Sequence, residues 1–432
     1  MDLVLRAERV LLGGEIRPAA VAVAQGTVVD IGPPDAAYAA QDDVWVPAGA
    51  VLLPGFVDTH VHINAPGTDW EGFATATEAA ARAGITTVVD MPLDSVPVTT
   101  TSEALRIKQA AAQSDSCVDV AFWGGVVPGN LGALHPLAEA GVRGFKCFLA
   151  DSGNPDFPHL SPAQFRAAAA EVAALDAVLL VHAESHAVLA ASPSPSGAGY
   201  ASFLASRPDC AEVDAVALAL DTARGTGVRL HLVHVSSGQT LELIADAKAA
   251  GVAVTAETCP HYLTFAAETI PDGATQFAAC PPIRACANRD QLWSALADGT
   301  LDMIVSDHSP CTPELKGDGD FRDVFAGISS LQLSPRAAWT QAAERGFGLA
   351  DLSRWMSERP ARLAGFTDRG HISVGARADL CAFDPDTADT VHAAELRHRH
   401  PVSPYDGSTL RGGVLATWVA GDAVYRSAGV AA

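Results

Sequence analysis

The pattern of apolar and polar positions changes twice along the chain. Residues 3–10 and 20–28 alternate, and the breaks at Gly13-Gly14 and Gly32-Pro33-Pro34 mark them as short strands of a small β unit. After Pro54 continuous apolar runs take over, separated by Ala-rich stretches such as 74–84 and 161–175 that read as helices. Such alternation predicts a parallel sheet of βα units. Eight runs can be counted, at 51–57, 85–90, 117–124, 142–148, 177–182, 228–235, 252–257 and 301–306, and eight is the number that closes a (β/α)8 barrel. From about Ile372 short strands return, most clearly at 378–383 and 414–419. The expected fold is therefore α/β: a (β/α)8 TIM-like barrel over residues 53–372, beside a small composite β-sandwich domain built from residues 1–52 and 373–432. No internal repeat interrupts this plan, and the Ser-Pro-Ser-Pro-Ser-Gly-Ala-Gly stretch at 192–199 reads as a flexible insertion.

Against this apolar background, polar residues at the ends of the runs stand out. His60 and His62 are separated by one residue, and side chains at i and i+2 of a strand share a face. An isolated His-x-His is more often a pair of satisfied histidines than a metal site. Here, however, other runs also end in metal-competent residues: His182 after the fifth, His231 and His234 after the sixth, Asp307 and His308 after the eighth. Chemistry in barrel enzymes sits at the C-terminal ends of the strands. Three residues apart, His231 and His234 are expected on opposite faces. His234, nearer the strand end, is taken as the ligand and His231 as structural. His308, next to Asp307, is expected to support the site or face the substrate.

The fourth run carries Lys146, whose ammonium has no lone pair for a metal. The ordinary alternative is a lysine snorkelling from a strand end. If CO2 adds to its neutral amine, the carbamate becomes an anionic ligand able to bridge two cations. Two divalent ions would then be held by four neutral imidazoles, one carbamate and one aspartate. Water between them ionises near neutrality, since bound water falls from a pKa of 15.7 to about 7 in favourable zinc sites.

Composition narrows the partners. The 432 residues are 49% hydrophobic and carry 50 acidic against 28 basic side chains, a net charge of −22. That balance disfavours nucleic acid and anionic membrane surfaces as partners. Asp2, Arg6, Glu8 and Arg9 in the first segment do not resemble a signal peptide, and no apolar run approaches the ~20 residues of a membrane span. A cytoplasmic protein is expected. The eight cysteines (117, 147, 210, 259, 280, 286, 311 and 381) include no C-x-x-C pair, as expected of reduced thiols. Cys147, Cys259 and Cys311 lie beside candidate site residues, but none sits in a thiolate-activating motif.

Taken together, the motifs resemble the cyclic amidohydrolases of the dihydroorotase, dihydropyrimidinase (hydantoinase) and allantoinase group, and within it the allantoinases most closely. The resemblance covers nearly the whole chain. It is carried by His60-Val-His-Ile-Asn-Ala-Pro-Gly, Trp70-Glu-Gly, Thr86-Thr-Val-Val-Asp-Met-Pro-Leu, Gly144-Phe-Lys-Cys-Phe, His234-Val-Ser-Ser, Glu257-Thr-Cys-Pro-His-Tyr, Pro281-Pro-Ile-Arg, Ser306-Asp-His-Ser-Pro-Cys and Arg399-His-Pro-Val-Ser-Pro-Tyr. It implies a dinuclear site with His60, His62, Lys146 as carbamate, His182, His234 and Asp307 as ligands. Asp307 would also act as general base and acid, passing a proton from a metal-bridged hydroxide to the leaving amide nitrogen. Mixed imidazole and carboxylate ligation suits zinc, cobalt, manganese or iron, with zinc the default expectation. By resemblance alone, a homo-oligomer, commonly a tetramer, is expected.

Departures within the group bear on substrate. Dihydroorotases typically carry Arg where this chain has Asn64, and Met-Pro-Asn-Thr where it has Met91-Pro-Leu-Asp94. Asn64 cannot clamp a substrate carboxylate as Arg does, and Asp94 would repel it, so dihydroorotate is disfavoured. Allantoinases usually show Met-Pro-Leu-Asn at the latter place, which makes Asp94 a mild departure. The Ser306–Cys311 motif also points to an allantoinase: hydrolysis of the hydantoin-ring amide of allantoin to allantoate. Asn64, Ser152, His261 and the backbone near Cys280 and Gly327 are the candidate contacts for that neutral substrate. A hydantoinase or dihydropyrimidinase is the alternative, and a non-catalytic scaffold of the same superfamily a more distant one.

Overall fold

The apolar run at 51–57 divides between two sheets. Val51–Pro54 and Phe56–Val61 are separate strands, and the main chain switches partners at Gly55. The Gly55 N–H donates to Asp379 of the C-terminal segment (2.8 Å), whereas the Phe56 N–H donates to Gly84 of the barrel (2.9 Å). A Cβ on Gly55 would stand 2.3 Å from the Thr86 hydroxyl, so only glycine admits this close crossing. Apolar texture alone could not reveal the break, because both halves are buried.

The computed structural model describes residues 1–428. Eight parallel strands form the barrel: β1 (Phe56–Val61), β2 (Ile85–Asp90), β3 (Asp119–Phe122, continued by Gly124–Gly125), β4 (Phe145–Phe148), β5 (Val178–His182), β6 (Arg229–Leu232), β7 (Val254–Thr258) and β8 (Met303–Ile304). Each pairs in parallel with the next. The ring closes beyond β8, where His308 bridges Val61 in parallel and its carbonyl accepts the His62 N–H at 2.7 Å. Asp58 reinforces the seam by accepting the N–H groups of His60 and Ser306 at 3.2 Å. The expected fold class is the one observed.

Helices fill the crossovers as the Ala-rich texture predicts. The stretch at 161–175 is the helix Pro162–Ala174, opened by a capping box in which Ser161 and Gln164 bond each other's main chain. Its buried residues Phe165, Ala168, Ala169 and Val172 follow the i, i+3, i+4, i+7 spacing of a single apolar face. The stretch at 192–199, read as an insertion, is held by main-chain bonds from Phe321 to Gly197 (3.0 Å) and from Gly273 to Ala198 (2.8 Å).

The terminal segments make one eight-stranded sheet, in the order Asp422–Arg426, Thr409–Val419, Leu380–Thr390, Val51–Pro54, Leu3–Leu12, Glu15–Ala24 and Thr27–Gly32, with Asp42–Trp45 also on Leu3–Leu12. Strand alternation divides its faces. Leu3, Leu5, Leu52, Leu380 and Ala382 form the sheet's own core, whereas Val51, Leu53, Cys381 and Phe383 join the barrel core.

One buried ion pair braces the mouth of the barrel. Lys108 Nζ, from the helix Ser102–Asp115, lies 2.5 Å from Asp90 Oδ2 at the end of β2 and donates to the Met91 carbonyl at 2.7 Å. The other Asp90 oxygen accepts the Ile63 N–H at 2.8 Å, one residue past His62. Removing one member of such a pair leaves an unpaired buried charge. Lys108→Met is therefore expected to cost about 3–5 kcal/mol of stability by denaturant titration. Adding Asp90→Asn should recover more than half of that loss; equal losses in the single and double variants would show that the charge is not the cause.

Candidate metal centre

The strand ends bring the six predicted ligand residues to one cavity of about 550 Å3 at the mouth of the barrel. His60 lies in β1 and His62 directly after it, and their Nε2 atoms stand 3.1 and 3.7 Å from the same Asp307 oxygen. The i, i+2 expectation for this pair therefore holds. His182, the last residue of β5, places Nδ1 2.9 Å from His234 Nε2. Lys146, inside β4, is buried with Nζ 4.8 Å from the Phe148 ring centre, and no acceptor binds it among the described residues. Phe148 in turn stacks on His182 at 4.7 Å.

Backbone conformation at the mouth departs from regular strand. Asn64, Asp94, His234 and Asp307 all have left-handed φ angles, between 38° and 62°, a conformation that costs a non-glycine residue of order 1–3 kcal/mol and tends to cluster at functional sites. The reversal at His234 also corrects the expectation that His231 and His234 face opposite sides. His231 points inward from β6 to β7, and the chain turns left-handed after the strand ends, so His234 points inward as well.

Two carboxylates behind the histidines set which nitrogen of His60 and of His182 faces the cavity. Glu257, in β7, spans two of them: one oxygen meets His60 Nδ1 at 2.5 Å and the other meets His231 Nε2 at 2.8 Å. Burial alone would raise the Glu257 pKa, but His231 and His60 outweigh it and hold the carboxyl well below its ordinary range. His60 thus donates from Nδ1 and keeps the Nε2 lone pair toward Asp307. Glu184, two residues after His182, accepts from His182 Nε2 at 2.8 Å and is itself paired with Arg207 (Nε to Oε1, 3.0 Å). Burial opposes this ionisation too, yet Arg207 and His182 bring the Glu184 pKa down to about 2. The His182 Nδ1 lone pair is left toward His234.

This donor set fits divalent metal. Burial pulls His182 down to about 4 and His62 and His234 well below the ordinary imidazole value, so these rings stand neutral, the form able to accept a metal ion. The Nδ1 atoms of His62 and His234 have no hydrogen-bond partner among the described residues. Ligand atoms of His60, His62 and Asp307 lie within 4.8 Å of one another, a grouping able to hold a metal ion.

The candidate substrate contacts divide. Ser152, Cys280 and Gly327 line the cavity. The Ser152 hydroxyl, however, donates to the Phe157 carbonyl at 2.7 Å within its own loop. Asn64 lies outside the lining and ties the β1 loop to the Pro310 carbonyl at 3.1 Å. His261 is buried beneath the site, near Cys259 and Asp307, and neither ring nitrogen has a hydrogen-bond partner among the described residues. His308 faces away: its Nδ1 accepts the Ser330 and Leu331 N–H groups, and its Nε2 meets Glu71 at 3.3 Å. Asp94, Arg207, Trp70 and Phe325 also stand in the wall. Burial raises the thiol pKa of Cys147 to about 12, that of Cys259 well above the ordinary value, that of Cys311 too, and that of the cavity-lining Cys280 to about 11, which disfavours the thiolate form at each.

Glu257, Glu184 and Arg207 had no role in the sequence reading. One signal was available for two of them: Glu184 stands at i+2 from His182, as His62 does from His60, and Glu257 closes the seventh run as the histidines close others.

The sequence profile of the Amidohydrolase family matches residues 51–424, and the chain belongs to that family. Among named relatives, the chain is 51% identical to the allantoinase of Streptomyces avermitilis, over 98% of this chain and 95% of that protein. It is 45% identical to the allantoinase of Saccharomyces cerevisiae, over 87% of this chain and 83% of that one. Among solved structures it resembles the L-hydantoinase (dihydropyrimidinase) of Arthrobacter aurescens, with a TM-score of 0.92 and 31% identity, over 100% of this chain and 97% of that one.

Glu257→Gln should test the carboxylate layer. One amide cannot accept from both histidines, so metal affinity is expected to fall about 10–100-fold, read by competition with a chromogenic chelator. Unchanged affinity would mean that His60 is oriented without it.

Proposed function

We propose that the protein is an allantoinase, opening the hydantoin ring of allantoin by hydrolysis of a ring amide to give allantoate. The observation that carries this reading is whole-length similarity to allantoinases at up to 51% identity, against 31% to the hydantoinase of matching fold. The cavity supports it, since its wall places Asp94 beside His62, with 3.8 Å between Oδ2 and Nδ1, where it would repel a substrate carboxylate, and the lining arginine, Arg207, is paired with Glu184.

His60, His62, Lys146 as carbamate, His182, His234 and Asp307 would hold two divalent ions, zinc in our reading. When bound, these supply Lewis acidity to a ring carbonyl and bring the ionisation of water toward neutrality. Burial pulls the Lys146 pKa down to about 8, despite the opposing pull of Asp307 and Glu257, so a share of neutral amine is present near neutral pH to add CO2 and release a proton. Burial likewise raises the Asp307 pKa above the ordinary range, although His60 and Lys146 oppose it. A carboxylate of raised basicity suits the role of taking a proton from the attacking water and returning it to the leaving ring nitrogen. Glu257 and Glu184 keep the ring nitrogens of His60 and His182 aimed while this occurs. The protein is read as cytoplasmic, in keeping with its eight free cysteines, and as homotetrameric by its resemblance to the family; among the described residues no helix is long and apolar enough to cross a membrane.

Initial rates on racemic allantoin, dihydroorotate, dihydrouracil and hydantoin, with bicarbonate and divalent metal supplied, test the assignment. Allantoin should be hydrolysed fastest; a faster dihydropyrimidine or hydantoin would replace it with the hydantoinase reading. Asp307→Ala is expected to lose about 10²–10⁴-fold in kcat with the fold retained by circular dichroism, and Lys146→Ala to lose bound metal together with activity. Substantial turnover by either variant would remove these roles.

A further inference from the structure

Lys316 is a buried ammonium with no carboxylate paired to it among the described residues. It ends the short turn Pro313–Lys316 beyond β8, and the chain that follows returns to form one wall of the cavity at 324–327. Its Nζ donates to the Phe325 carbonyl at 2.9 Å and to the Gly327 carbonyl at 2.5 Å. The Phe325 N–H donates back to the Leu315 carbonyl at 2.9 Å, so the loop is clasped at its neck from both sides.

This clasp governs a surface with little freedom elsewhere. The Phe325 ring packs edge-on against Trp70, another wall residue, at 4.8 Å. A Cβ on Gly327 would stand 2.4 Å from the Ser309 carbonyl, two residues past Asp307. Carbonyl and N–H point in opposite directions across a trans peptide. Turning the Phe325 and Gly327 carbonyls to the lysine therefore sets which edge of each peptide faces away from it. Main-chain carbonyls satisfy the ammonium only while the wall keeps this orientation, since a buried cation without acceptors is costly.

We propose that Lys316 is a positioning residue for substrate recognition, holding the wall at 324–327 in the orientation that fits a cyclic ureide while touching none of the reacting atoms. The proposal rests on the allantoinase reading for the identity of the ureide but not for the clasp itself. In the metal-loaded enzyme, Lys316→Met should raise KM for allantoin about tenfold with kcat within about threefold. KM for unsubstituted hydantoin, which lacks the ureido arm, should rise less. Lys316→Arg, which keeps the donors, should retain most of the wild-type KM. Hydrogen exchange in peptides covering 316–328 should quicken in Lys316→Met and not in Lys316→Arg.

A fall in kcat at unchanged KM, or unchanged exchange at 316–328, would overturn the proposal. If Lys316→Met does not fold, Lys316→Gln carries the same comparison. If the wild-type protein fails to hydrolyse allantoin, the allantoinase reading falls. The clasp is then decided by hydrogen exchange and by KM for whichever cyclic amide is turned over.

Discussion

One buried carboxylate, Glu257, holds two histidines from separate strands of the barrel, His60 of β1 and His231 of β6, and the site depends on that arrangement. A neutral imidazole is a useful ligand only if its lone pair points the right way, and a carboxylate on its other nitrogen fixes that orientation. Glu257 takes the proton-bearing side of His60 and anchors itself on His231. Glu184 does the same for His182, anchored on Arg207. Each carboxylate is ionised against the pull of burial because its partners outweigh desolvation.

The barrel supplies the directions and the loops supply the final angles. Strand ends bring His60, Lys146 and His182 to one mouth, but His234 and Asp307 lie past the ends of β6 and β8. They reach the centre through left-handed backbone, a conformation held by the loops around it. The closure of β8 on β1, through His308 and Asp58, places Asp307 opposite His60. The Lys108–Asp90 pair performs a similar service for the segment that follows His62.

Much of this was legible in the chain itself. Apolar runs alternating with Ala-rich stretches foretold the barrel, and the return of short strands at both termini foretold the composite sheet. What escaped were features of contact. Pro54-Gly55 is a turn signal within the run at 51–57, but apolar texture does not reveal that the two halves join different sheets, because each is equally buried in its own. His231 and His234 looked opposed on an ideal strand, and only the turn at His234 brings both inward. The sequence leaves open whether His308 supports the site or faces the substrate, and only the structure shows its ring spent on Glu71 and the main chain of Ser330 and Leu331.

What the sequence by itself determined is the inventory: strands of the right number and the right donor types at their ends. These follow from local periodicity, which depends on neighbours a few residues away. Tertiary structure alone decided the assignments: which ring nitrogen faces the cavity, which carboxylate stands behind which histidine, and where Lys316 finds its acceptors. Those contacts join residues as far apart as His60 and Glu257, and their energies come from burial and charge at distances no local pattern encodes.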